Sequence, residues 1–115
     1  MNIISELTLE ERLRYSKKLI HKYPDYVPVI IKKSSSDKIL RDMDKERYLM
    51  PKNLHISHIL FTIRKKINID EKQSVFIFIN NTLVPMNVTI GETYNQYKSD
   101  DNFLYIVYKT ENTFG

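Results

Sequence analysis

Ile56-Ser57-His58-Ile59-Leu60-Phe61-Thr62-Ile63-Arg64-Lys65-Lys66-Ile67 sets apolar side chains at i, i+3, i+4, i+7 and i+11. That is the period of an amphipathic helix with one buried face. Arg64, Lys65 and Lys66 fall in its last turns, where cations suit the helix dipole. Outward on both sides lie strands. Upstream are Tyr26-Val27-Pro28-Val29-Ile30-Ile31 and Arg47-Tyr48-Leu49-Met50-Pro51; downstream are Val75-Phe76-Ile77-Phe78-Ile79 and Phe103-Leu104-Tyr105-Ile106-Val107-Tyr108. One long helix between two strand pairs is best buried across their sheet, a two-layer α+β solution.

The remaining segments fit around this frame. Thr8-Leu9-Glu10-Glu11 is a capping-box pattern, with Thr8 as N-cap and Glu11 reaching back. Leu9, Leu13, Ser16, Leu19, Ile20 and Tyr23 follow at helical spacing, and Pro24 stops that helix. A short helical turn is expected before it, around residues 2–6. Pro28 and Pro51 lack an N–H and mark a sheet edge or an irregularity. Residues 34–44 read as a polar, mobile loop. Asn80-Asn81 turns the chain into the short Thr82-Leu83-Val84, and Thr89-Ile90-Gly91-Glu92 is a second capping box opening a short helix to about Lys98. The run 103–108 is apolar on both faces, so it belongs in the middle of the sheet. The order helix, β, β, helix, β, short helix, β is that of the ubiquitin-like β-grasp. The expected fold is a four-stranded mixed sheet with a central helix, its first and last strands adjacent, plus an N-terminal helical extension. The divisions are 1–24 for the extension, 25–109 for the core and 110–115 for a projecting tail.

Composition narrows the function. The 115 residues are 42% apolar and 28% charged, an ordinary globular balance for one domain. The chain has no cysteine, which excludes disulfides, cysteine-based metal sites and a cysteine nucleophile of its own. No apolar run approaches the about 18 residues of a membrane span, and no signal-peptide pattern opens the chain. The net charge of +4 is uneven. Residues 1–66 hold 15 Lys/Arg against 8 Asp/Glu, and residues 67–115 hold 3 against 6. Most of this is solvated surface. A basic face of this kind also attracts acidic peptides or an anionic membrane, whereas no nucleic-acid motif accompanies it.

Catalytic chemistry finds no foothold. His55 and His58 lie three apart near a helix start, and a metal site needs further converging ligands; surface or capping roles suit them better. There is no nucleophile elbow, and Gly91 is the sole internal glycine, so no phosphate-cradling loop can be built. Asp100-Asp101 reads as a loop before the last strand rather than an acid–base pair. No enzyme, cofactor or metal is expected.

Gly115 is the other glycine. Without a Cβ, a glycine carboxylate on a flexible tail can thread a narrow enzyme channel. There it can be activated, passed to a partner's cysteine as a thioester and joined to an amine. Chance also places a glycine at a chain end, so the rest of the sequence decides its weight.

Several segments carry a specific resemblance. Lys22-Tyr23-Pro24-Asp25-Tyr26-Val27-Pro28-Val29-Ile30, Asp44-Lys45-Glu46-Arg47-Tyr48-Leu49-Met50-Pro51, Phe61-Thr62-Ile63-Arg64-Lys65-Lys66-Ile67, Phe78-Ile79-Asn80-Asn81 and Phe103-Leu104-Tyr105-Ile106-Val107-Tyr108 are similar, in order, to segments of the autophagy ubiquitin-like modifiers, the family of GABARAP. Asn112-Thr113-Phe114-Gly115 resembles that family's processed end. The resemblance spans nearly the whole chain, with a short insertion in the 34–43 loop.

What it implies is a modifier activated at its terminal glycine, Gly115, by an activating enzyme. The modifier then passes to a conjugating enzyme and is joined to phosphatidylethanolamine. A cysteine protease trims most family members and releases them from the lipid. The chain would be cytoplasmic, and on autophagosome or related vesicle membranes when lipidated. Two acyl chains anchor stably where one does not.

The resemblance further implies cargo receptors bearing aromatic-x-x-aliphatic motifs, docked by strand addition at the second strand. Their aromatic pocket would be lined by Leu19, Pro28, Ile30, Arg47, Leu49 and Phe103. The aliphatic pocket would be lined by Tyr48, Met50, Pro51, Leu54, Ile59 and Ile63. Lys45 and Arg47 would meet acidic residues flanking the motif. Core packing is the competing role for Ile30, Ile63 and Phe103. Departures stand at Tyr15, where GABARAP has an acidic residue beside the aromatic pocket, which implies a more closed rim, and in the aliphatic pocket at Ile59 for a phenylalanine and at Thr62 for a leucine. Two other functions share the fold: a modifier joined to a protein lysine, and a non-covalent trafficking adaptor.

Overall fold

The computed structural model describes residues 4–111. A 3-10 turn at Ile4–Glu6 precedes helix α1, Leu9–Lys22. Strands β1, Tyr26–Lys33, and β2, Arg47–Pro51, lead to helix α2, Ile56–Ile67. Strands β3, Phe76–Ile79, and β4, Thr82–Leu83, helix α3, Ile90–Tyr97, and strand β5, Leu104–Lys109, complete the chain. The sheet order is β2-β1-β5-β3-β4. β1 and β5 run parallel at its centre, and the other neighbours are antiparallel. This is the ubiquitin-like β-grasp with an N-terminal helix. The sheet has five strands rather than four, because the two residues of β4 pair with the end of β3.

Local chemistry explains the elements. In the α1 capping box the Glu11 N–H donates to Thr8 Oγ1 at 3.1 Å, and the Thr8 N–H donates to the Glu11 carboxylate at 2.9 Å. The box expected at Thr89 is half made: Thr89 Oγ1 accepts from the Glu92 N–H, while no return bond from the Glu92 side chain caps Thr89. Asn80 and Asn81 both take positive φ, 51° and 60°, the geometry of a tight two-residue hairpin turn that asparagine tolerates. His58 caps α2, its Nδ1 accepting the His55 N–H at 3.1 Å.

The sheet is covered on both faces. Ile56, Ile59, Ile63 and Ile67 on α2 are each at most 2% exposed. They pack with Val27, Val29 and Ile31 of β1 and with Leu104, Ile106 and Tyr108 of β5. Each such side chain is worth roughly 1.5–3 kcal/mol on burial. The opposite face carries Ile30 and Phe103, which pack with Ile4, Leu7, Tyr15 and Tyr105 beneath the N-terminal segment. Pro28 marks no edge. It lies buried in interior strand β1 opposite Leu49, one residue before the β1–β5 ladder begins at Val29. Pro51 does lie on an edge strand.

Two loops expected to be plain are tied down by aspartates. Asp101, 2% exposed, accepts from Arg12 Nε at 2.9 Å, from the Phe103 N–H at 2.9 Å and from the Tyr105 hydroxyl. Its carbonyl accepts from the buried Ser16 hydroxyl at 2.7 Å. Burial, then the Asp101 bond, pushes the Tyr105 phenol well above its ordinary range. In the 34–44 loop Asp37 is 6% exposed and accepts from the N–H groups of Ile39 and Leu40.

Candidate peptide-binding groove

β2 pairs with β1 alone and so forms one edge of the sheet. Flanking bonds, Ile31 N–H to the Glu46 carbonyl and Lys52 N–H to the Asp25 carbonyl, fix which residues face β1. Ladder bonding alternates along an antiparallel pair, so Tyr48 and Met50 bond inward and Leu49 turns its N–H and C=O away from β1. The side chains alternate too. Tyr48 and Met50 face the α2 layer, and Arg47 and Leu49 face the α1 layer.

On the α1 side this builds an open cavity of about 320 Å³, lined by Tyr15, Leu19, Lys45, Arg47, Tyr48, Leu49 and Phe103. Four of the six residues expected in an aromatic pocket line it: Leu19, Arg47, Leu49 and Phe103. Pro28 and Ile30 lie buried on the same face of β1, and Ile30 joins Phe103 in the packing beneath. Tyr15 is the addition. Its ring centroid is 5.9 Å from that of Phe103, and the Arg47 guanidinium sits 5.4 Å from the Tyr15 ring centroid. The resemblance already set Tyr15 beside this pocket; its contact with Phe103, 88 residues further along the chain, was not legible.

Lys45 and Arg47 both border the cavity, Lys45 with its ammonium 5.3 Å from the Tyr48 ring centroid. They give its mouth positive charge. The Tyr48 hydroxyl donates to the Lys45 carbonyl at 3.0 Å. Burial, then the Asp44 carboxylate, raises the Tyr48 phenol above its usual range.

On the α2 side, Met50, Ile59 and Ile63 belong to the main core, with Tyr48 and Leu54 half-buried against it. Ile59 and Ile63 are 0% exposed. Tyr48, Leu54 and half-buried Pro51 carry the accessible surface of this second set. The Thr62 hydroxyl donates to the His58 carbonyl of its own helix. Gly115 lies outside the described residues.

Among the described residues no group of three or more His, Cys, Asp and Glu is placed to hold a metal ion. No helix there is long and apolar enough to cross a membrane. The arrangement is a strand edge beside an apolar, basic-rimmed hollow, which suits an extended peptide with an aromatic anchor.

The family model described as "Autophagy protein Atg8 ubiquitin like" matches residues 11–115. Autophagy-related protein 8h of Arabidopsis thaliana is 39% identical over 110 residues, 96% of this chain and 92% of that one. Autophagy-related protein 8a of the same plant is 37% identical over 107 residues, 93% and 87% of the two chains. The crystal structure of Trypanosoma brucei ATG8 superposes with a TM-score of 0.87 at 28% identity, covering 97% of this chain and 96% of that one.

Proposed function

The chain belongs to the Atg8 family of ubiquitin-like autophagy proteins, which are modifiers and not enzymes, and from that premise we propose that it is conjugated through Gly115 to phosphatidylethanolamine and recruits partners bearing aromatic-x-x-aliphatic motifs. The chemistry of the first half is acyl transfer. The Gly115 carboxylate attacks ATP and releases pyrophosphate. An enzyme cysteine thiolate then displaces AMP to give a thioester. The lipid amine attacks the thioester carbonyl, expels the thiolate, loses its proton and forms an amide. The protein moves between cytoplasm and autophagosome membrane as that amide is made and cleaved.

The observation that carries the second half is the hollow beside β2. A peptide strand laid along this edge meets the outward-turned backbone of Leu49. It can lower an aromatic side chain between Tyr15, Leu19, Leu49 and Phe103. Its aliphatic residue, three positions on and so turned to the opposite face of the peptide strand, rests on Tyr48, Leu54 and Pro51, over Ile59 and Ile63. Acidic residues before the motif meet Lys45 and Arg47. The test is calorimetric titration with a synthetic peptide of the form acidic-acidic-aromatic-x-x-aliphatic. Binding that disappears when the aromatic is replaced by alanine supports the reading, and no heat from the parent peptide refutes it.

A further inference from the structure

The Asp37 carboxylate is divided between two segments of the chain. Oδ1 accepts from the N–H groups of Ile39 and Leu40, both at 2.9 Å. Oδ2 accepts from the Thr110 N–H at 2.8 Å and from the Thr110 hydroxyl at 2.9 Å. Thr110 is the first residue beyond β5. Surrounding bonds hold the same two segments together: the Ser34 N–H donates to the Tyr108 carbonyl at 2.9 Å and the Tyr108 hydroxyl to the Arg41 carbonyl at 2.7 Å; the Lys33 ammonium at the end of β1 donates to the Asp37 carbonyl at 2.8 Å. Asp37 is the group that accepts both from the backbone N–H and from the side chain of Thr110.

We propose that Asp37 is a positioning residue for conjugation: it staples the chain at Thr110 and so sets the direction in which the residues beyond it reach an activating enzyme. The inference rests on the reading that Gly115 is conjugated. Five further residues follow Thr110, a reach of at most about 18 Å. An enzyme that grips the folded domain and also the chain end binds at two linked points. The second contact then depends on how small a volume the end explores. Fixing the root in the free protein removes part of the ordering cost of that contact. Asp37 is suited to the task because all its bonds are accepted by one buried anion, and hydrogen bonds to ionised groups are the strong ones.

The test is steady-state charging of the full chain by its activating enzyme, read as the thioester formed. Asp37→Asn is close to isosteric. It can keep one oxygen on Ile39 and Leu40 while its amide group cannot accept from Thr110. The expected result is a KM raised about 3- to 10-fold, with kcat unchanged. Affinity for the motif peptide should also be unchanged. Thr110→Val should show a smaller rise, and the double variant no more than Asp37→Asn alone. Ile90→Val shortens a buried side chain on α3 and serves as the stability control, with KM expected to stay at the parent value. An unchanged KM in Asp37→Asn overturns the proposal, as does a rise of the same size in Ile90→Val or a parallel loss of peptide affinity. If the parent protein is not charged at all, the conjugation reading itself falls, and this inference with it.

Discussion

Arg12 on α1 places its Nε 2.9 Å from the carboxylate of Asp101, which is 2% exposed in the loop before β5. A carboxylate buried to that extent is costly unless every oxygen finds a donor. Asp101 finds Arg12, the Phe103 N–H and the Tyr105 hydroxyl. Helix α1 is therefore docked by a charge the core cannot hold unpaired, as well as by apolar contact. Because α1 supplies Tyr15 and Leu19, this pair also holds one wall of the groove.

Arg12→Ala should destabilise the fold by about 3 kcal/mol, since Asp101 keeps two donors and loses its counter-charge. Urea denaturation checks it. A loss below about 0.5 kcal/mol, the range of an ordinary surface change, would show that α1 is docked by its apolar face alone.

Leu49→Ala should weaken motif-peptide binding by about 1–2 kcal/mol, roughly 5- to 30-fold, with the melting temperature nearly unchanged. Leu49 is only half-buried and touches the cavity rather than the α2 core. Titration calorimetry beside a thermal melt separates the two effects. Equal affinity in the variant would place the peptide elsewhere.

Two positions on α2 should behave oppositely. Ile63 is 0% exposed, and Ile63→Ala should cost about 2–5 kcal/mol through the cavity it leaves. Phe61 is 68% exposed, and Phe61→Ala should stay within about 0.5 kcal/mol. Similar losses at both would mean that the helix is turned differently on the sheet.

Acid should act on Asp37. Burial alone would raise its carboxyl, but hydrogen bonds from Leu40, Thr110 and Ile39 outweigh that and hold it at about 2. An unfolded aspartate titrates near about 3.9. The folded value is the lower one, so its contribution to stability is complete above about pH 4 and is lost as pH falls toward 2. Asp37→Asn has no such charge to lose and should lose less stability than the parent over that window. Denaturation midpoints at a series of acid pH values report it; identical acid limbs would contradict the assignment.

The parts of the fold legible in the sequence are those with local signals. The isoleucine spacing of α2 reports which face is buried because helical period and burial coincide within the segment. Thr8 and Glu11 sit three apart, so their capping box is visible without any tertiary contact. Asn80-Asn81 names its own turn. Thr89 and Glu92 show the limit of such signals, since the same pattern made only one of its two bonds. Asp37 and Asp101 were not legible at all. Their partners Thr110 and Arg12 lie 73 and 89 residues away, and an aspartate in a polar loop looks solvated until the fold closes over it. The groove was legible only through resemblance, because period-two alternation in a five-residue strand does not say which face meets a hollow. Tyr15 needed the packed α1 to reveal its contact with Phe103.

The most direct test of the central claim is intact-fragment mass spectrometry of residues 110–115 from cell membrane fractions. A phosphatidylethanolamine adduct on the Gly115 carboxyl is the expected result. A free carboxylate in every fraction, or an isopeptide remnant joining Gly115 to a lysine, would contradict it.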